Sequence, residues 1–167
     1  MRFAKRISVP VAANSARTAV AAVISYWVAG LFRLPEAYWA TISTLVVMQS
    51  NLGAAWKISI ERLAGTVLGA MMGALLAEYF PVNVPIFGLG VFALGIVCAA
   101  LSLDNAYRLA GVTLAVIMLI GRTASVGTVA FHRFVEVAIG ILVGLAITAV
   151  WPEAPTLEEA ASKPQHE

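Results

Sequence analysis

Residues 57–77 read KISIERLAGTVLGAMMGALLA. A run of about 20 apolar residues can cross the hydrocarbon of a bilayer, yet Glu61 and Arg62 stand side by side near the start of this one. In a soluble helix the pair would be an ordinary solvated first turn. In a membrane helix each charge needs a partner or water, so the rest of the chain decides what the pair means.

Composition places the chain in a membrane. Apolar residues make up 60% of the 167 positions, charged residues only 12%, and the mean hydropathy is +0.88; a soluble domain carries about 25% charged residues. The length fits one domain and leaves no polar run long enough for a second. The net charge of +2 is small and its cations are scattered, which excludes nucleic acid as a partner. Cys98, alone in an apolar run, reads as a small buried hydrophobe. The amino terminus has the cations of a signal peptide, but its apolar part, 18–32, lacks a clean cleavage site and reads as a retained span.

Six stretches qualify as membrane helices: 16–32, 37–50, 58–80, 84–103, 106–121 and 131–151. The segments between them, RLPE at 33–36, SNLGAAWK at 50–57, FPVNVP at 80–85, LDN at 103–105 and GRTASVG at 121–127, carry turn residues. Such short loops make consecutive helices antiparallel neighbours. The expected organisation is a cytoplasmic segment 1–15, a six-helix membrane domain 16–151 and a polar cytoplasmic tail 152–167. Arg2, Lys5, Arg6, Arg17, Lys57, Arg62, Arg108 and Lys163 then lie inside, against Arg33, Arg122 and Arg133 outside. That bias puts both termini in the cytoplasm.

An internal echo bears on the opening stretch. Set above RFVEVAIGILVGLAIT from Arg133, RLAGTVLGAMMGALLA from Arg62 aligns Arg62 with Arg133, Gly69 with Gly140 and Gly73 with Gly144. With three helices per unit, the second unit enters from the opposite side, so a 3+3 inverted repeat is expected. It would put Arg62 near the cytoplasmic end of its helix and Arg133 near the other face. Gly65, Gly69 and Gly73, like Gly140 and Gly144, are four apart and make smooth helix faces suited to close packing.

The ionisable residues are the candidates for chemistry. Arg133 and Glu136 are three apart and can pair on one helix face, and Asp104 precedes Arg108 by four. Glu61 points about 100° away from Arg62 on a helix, so the two need not satisfy each other. Arg17 opens the first span. For every one of these arginines the plain alternative is a side chain snorkelling to the headgroups. His132 is the residue that would titrate near neutrality. In the second span, Tyr38 and Trp39 read as an aromatic belt pair, Thr41, Thr44 and Met48 form one stripe, and Gln49 closes it. No phosphate loop, metal-ligand cluster or nucleophile motif is present, so neither an enzyme, a cofactor nor a metal is expected, and any transport is not driven by ATP.

The arginine opening the first helix (Arg17), YWA at 38–40, Gln49, NLG at 51–53 and RLAGTVLGA at 62–70 resemble the first membrane half of the fusaric-acid-resistance (FUSC) family, which is related to the aromatic acid exporters. The resemblance covers roughly 16–150. It implies a six-helix inner-membrane module that exports organic anions, typically aromatic carboxylic acids, on the proton gradient. The chain is also similar to plant malate channels, in which arginines line an anion path. With one membrane module, it is expected to form a homodimer. On this reading Arg62 and Arg133, then Arg17 and Arg108, bind the carboxylate through their planar forks. Glu61 and Glu136 couple protons or orient the arginines, and Tyr38, Trp39, Thr41 and Gln49 contact the ring or its substituents. A passive anion channel and a non-transporting scaffold or accessory subunit are the alternatives.

Overall fold

A computed structural model describes residues 9–49, 51–103, 105–120 and 125–153. Six helices, with no strand among the described residues, account for them: α1 (Val9–Leu31), α2 (Tyr38–Val47), α3 (Leu52–Tyr79), α4 (Val84–Ala100), α5 (Ala106–Ala115) and α6 (Val126–Val150). A π-helical turn, Val116–Ile120, continues α5.

The starts of α3 and α6 follow capping chemistry and not the edge of the hydrophobic run. The Asn51 side chain accepts from Ala54 N at 2.8 Å and Ser125 Oγ from Thr128 N at 3.3 Å, which satisfies backbone donors a helix start leaves orphaned. The stretch 52–57, expected as loop, therefore belongs to α3, and α6 likewise starts upstream of Phe131. Helix α1 begins at Val9, inside the segment expected to precede the membrane domain. Residues 1–8 and 154–167, with most of the two expected cytoplasmic segments, lie outside the described residues.

Helix α2 is shorter than its apolar run, whereas α5 reaches the end of its own run only through the π turn. The 10 residues of α2 span about 15 Å at ~1.5 Å per residue, half the thickness of a bilayer core. Helix α5 also has 10 residues before its π turn. Both are held inside the bundle by longer neighbours, which relieves them of covering a full span alone. By length and composition, α3 and α6 each suffice to cross a membrane.

The packing is paired. Helix α3 lies against α5 as α6 lies against α2, and α3 and α6 meet each other at the centre. Helix α1 covers α2 and α6, while α4 covers α5 and α3. The glycine faces set the two short helices close: a Cβ at Gly69 would strike the Ala110 carbonyl oxygen and Thr113, and one at Gly140 would strike the Ala40 carbonyl oxygen and Ser43. Gly73 faces Ile117, Gly144 faces Val47 and Thr44, and Gly65 faces the start of α5 at Ala106. One apolar core, built on Leu94, Cys98, Leu114 and Met118, joins α4 to α5. A second, on Val47, Ala55, Val137 and Ile141, joins α2, α3 and α6.

The distribution of side chains is inverted relative to a soluble protein. Trp27, Phe92 and Leu142 are each about two-thirds exposed or more, and Met71 and Leu75 face outward with them. Arg17, Arg62, Thr66, Arg133, Glu136 and Thr148 are buried. A large apolar exterior, with these charged and polar side chains held inside beside the apolar cores, suits a lipid surround, where backbone groups must be satisfied inside the helices.

Candidate functional site

The long helices bring their arginines to the middle. Arg62 is the eleventh residue of α3 and Arg133 the eighth of α6, so each guanidinium stands about 10–15 Å along its helix. The expectation that they occupy opposite ends is therefore corrected: both line one cavity of about 20 Å³, together with Trp39, Thr66, Leu109, Val112, Thr113, Val116 and Val137. The earlier helix starts at Leu52 and Val126 carry both residues inward. A space of this size holds roughly one water.

The two arginines differ in what they touch. Arg133, 3% exposed, donates from Nη2 to Glu36 Oε2 at 2.6 Å and from Nη1 to Glu136 Oε2 at 3.4 Å. Its guanidinium carbon lies 3.8 Å from the centre of a Trp39 ring, a cation–π contact. Glu136 is 1% exposed and also accepts from the Glu36 backbone N–H at 3.2 Å. Tyr38 stands within electrostatic reach of Arg133, with its ring tilted against Trp39.

Arg62 is 4% exposed. Among the described residues its guanidinium forms no salt bridge, and its buried Nε has no acceptor. The indole Nε1 of Trp39 is likewise buried and unpartnered. The cavity lining thus includes a cation without a salt bridge and a residue with an unused N–H donor. Burying a charge without a direct partner is costly.

The other candidates lie elsewhere. Arg17 is buried and does not snorkel: its Nη2 donates to the Gln49 carbonyl at 2.8 Å and to Thr148 Oγ1 at 3.4 Å, which ties the end of α2 to α1 and α6. Arg108 is exposed and donates from Nε to the Tyr107 hydroxyl at 3.0 Å. Glu61 accepts from Asn105 Nδ2 at 3.3 Å, away from Arg62 as its helix angle predicted. Thr41 donates to the Ala22 carbonyl at 3.4 Å, binding α2 to α1, and the Gln49 amide donates to the Val46 carbonyl. His132 is half-buried with its ring tilted toward Phe131. Asp104 lies outside the described residues.

Sequence reasoning missed Glu36, the strongest partner of Arg133. It sits in the loop RLPE, 97 residues away, and no periodicity connects a loop carboxylate to a distant helix. Thr44 was recognised as polar, but its role is a bridge: its Oγ1 donates to Gly140 O at 2.9 Å, across the α2–α6 contact. Ser43, Ser59, Thr66 and Thr113 bond the carbonyl one turn back in their own helices.

A bundle with apolar outer faces, half-length helices clasped by glycine faces, and arginines meeting at its centre has the organisation of a membrane protein with an internal polar site. The chain belongs to the family described as fusaric acid resistance protein-like, which matches residues 20–147. It is similar to the Escherichia coli K12 inner membrane protein YeeA, with 28% identity over 145 residues covering 84% of this chain and 41% of that protein. It is also similar to the uncharacterized transporter YdhK of E. coli strains K12 and O157:H7, with 33% identity over 149 residues covering 83% of this chain and 22% of YdhK. The chain therefore spans less than half the length of these relatives. No solved structure matches it.

Proposed function

We propose that the chain is an inner-membrane transport module that exports organic anions, aromatic carboxylic acids first among them, on an ion gradient. The observation that carries this reading is Arg62: a buried guanidinium with no salt-bridge partner among the described residues, in one cavity with Trp39 and Arg133. A carboxylate would satisfy it, and arginine's planar fork suits both oxygens. Thr66 and Thr113 border the same space. Family membership and a relative named as a transporter support the transport class, and a relative named as an inner membrane protein supports the location.

The site lies between two halves, α1–α3 and α4–α6, which we read as an inverted repeat of six spans with both termini cytoplasmic. The paired helix contacts and the matched glycine faces support this, as does the excess of Lys and Arg on the side of the termini. Alternating access would then rock one half against the other around a fixed central site. Glu136, buried on Arg133, is the candidate for coupling to protons. Gly88 and Gly95 of α4 have nothing within 4 Å and flank the exposed Phe92, an outward apolar face on which a homodimer can form.

Proteoliposomes loaded with radiolabelled benzoate test the function. Efflux that rises with an imposed proton gradient and is unaffected by ATP is the expected result. Gradient-independent conductance would replace the exporter by a channel. No flux of benzoate or dicarboxylates would leave a scaffold or accessory subunit.

A further inference from the structure

Arg133 already holds a carboxylate of the chain's own. Glu36 meets it at 2.6 Å, and the Glu36 side chain is 32% exposed where that of Glu136 is 1% exposed. Glu36 also belongs to the short connection between α1 and α2, whose Arg33 takes the left-handed conformation at φ 52°. The cavity that Arg62 and Arg133 share has room for about one water, too little for benzoate as it stands. Something has to leave before a substrate can sit on both arginines.

Resting on the anion-transport reading above, we propose that Glu36 is a tethered carboxylate that occupies the substrate's place on Arg133 and is displaced by the incoming anion. Charge decides which group leaves. Both resident carboxylates, Glu36 and Glu136, sit on Arg133, so Arg62 is left unpaired although the two cations and two acids sum to zero, and an added anion leaves a net negative charge at low dielectric. An anion drawn to the free Arg62 makes the site negative by one charge. Neutrality returns only if one resident carboxylate goes out to water. Glu136 is enclosed on α6, whereas Glu36 is already one-third exposed and lies on a connection outside the helices. The substrate carboxylate inherits the Nη2 donor that Glu36 vacates, so the exchange is carboxylate for carboxylate on one nitrogen.

The arrangement at Arg62 fits a one-sided device. In the register set by Gly69 against Ala110 and Gly140 against Ala40, the place that Glu36 holds at the start of α2 falls to Ala106 at the start of α5. Arg62 thus has no tether and stays free to receive the anion first.

Glu36→Gln and Glu36→Ala in purified, reconstituted protein test the proposal, with benzoate efflux and equilibrium binding of radiolabelled benzoate measured alongside thermal stability. Removing an internal competitor lowers both the apparent KM and the dissociation constant, by about tenfold if the free form of Arg133 is populated one part in ten. That gain should appear in both variants even if Glu36→Ala melts at a lower temperature. Wild-type flux with unchanged KM and binding in both variants would reduce Glu36 to a structural ion pair and overturn the proposal, leaving the transport reading intact. Absence of benzoate flux and binding in all three proteins would overturn both.

Discussion

Arg62 and Arg133 hold matching places in α3 and α6, and their surroundings are opposites. Arg133 has a carboxylate on each of two nitrogens and an indole over its face; Arg62 has none of these among the described residues. The glycine contacts explain how this arises. With Gly69 matched to Gly140 and Ala110 to Ala40, the positions of Glu136, Glu36 and Trp39 fall on Gly65, Ala106 and Leu109 of the other half. The packing face is kept on both sides while the acids are present on only one. The comparison teaches that the scaffold and the charge pattern are separable: glycines fix where the helices meet, and the acids decide which cation is free to act.

Substitutions at the shared scaffold should break both halves alike and have the largest effect. Gly69→Val and Gly140→Val each force a side chain onto a backbone carbonyl that cannot step aside. Each should cost about 3 kcal/mol or more and leave little monodisperse protein in detergent size-exclusion chromatography. If one is tolerated and the other is not, the two glycine faces are not equivalent.

Substitutions at the charges should instead separate the halves. Arg133→Met strands Glu36 and Glu136 without their cation and should destabilise by about 3–5 kcal/mol. Arg62→Met removes a buried, unpaired charge and should stabilise by about 1–3 kcal/mol. Thermal melts in one detergent compare them directly, and equal losses in both would mean that Arg62 has a partner in the folded protein. Smaller still, Arg17→Met removes hydrogen bonds to Gln49 O and Thr148 and should cost about 1–2 kcal/mol with benzoate binding unchanged. At the low end, Arg33→Gly relieves a left-handed backbone and should raise stability by about 1 kcal/mol in the same melts.

Much of this was legible in the sequence. Six apolar stretches became six helices, the Arg133–Glu136 spacing became an ion pair, and the echo from Arg62 to Arg133 marked the helices that meet at the centre. Helix starts were not legible from hydropathy, because Asn51 and Ser125 extend α3 and α6 past the apolar edge by capping. That extension moved both arginines inward and made one cavity where two separate stations were expected. The length of α2 was hidden for a related reason: an apolar run shows that a segment can be buried, not that it stays helical to its end. Glu36 could not be found by spacing, since only the folded chain brings the loop before α2 to α6. Arg17, read as a candidate carboxylate ligand or a snorkelling side chain, could not be seen as a tie between helices, because its acceptors, Gln49 O and Thr148 Oγ1, come from α2's end and α6.

The central claim is that the unpaired Arg62 receives the anion, and equilibrium binding of radiolabelled benzoate to wild type and Arg62→Met in the same detergent tests it most directly. The account predicts that Arg62→Met remains folded, melts no lower than wild type, and loses benzoate binding by a hundredfold or more, in line with about 3 kcal/mol for a lost charge-assisted pair. Wild-type binding retained in a folded Arg62→Met would contradict it.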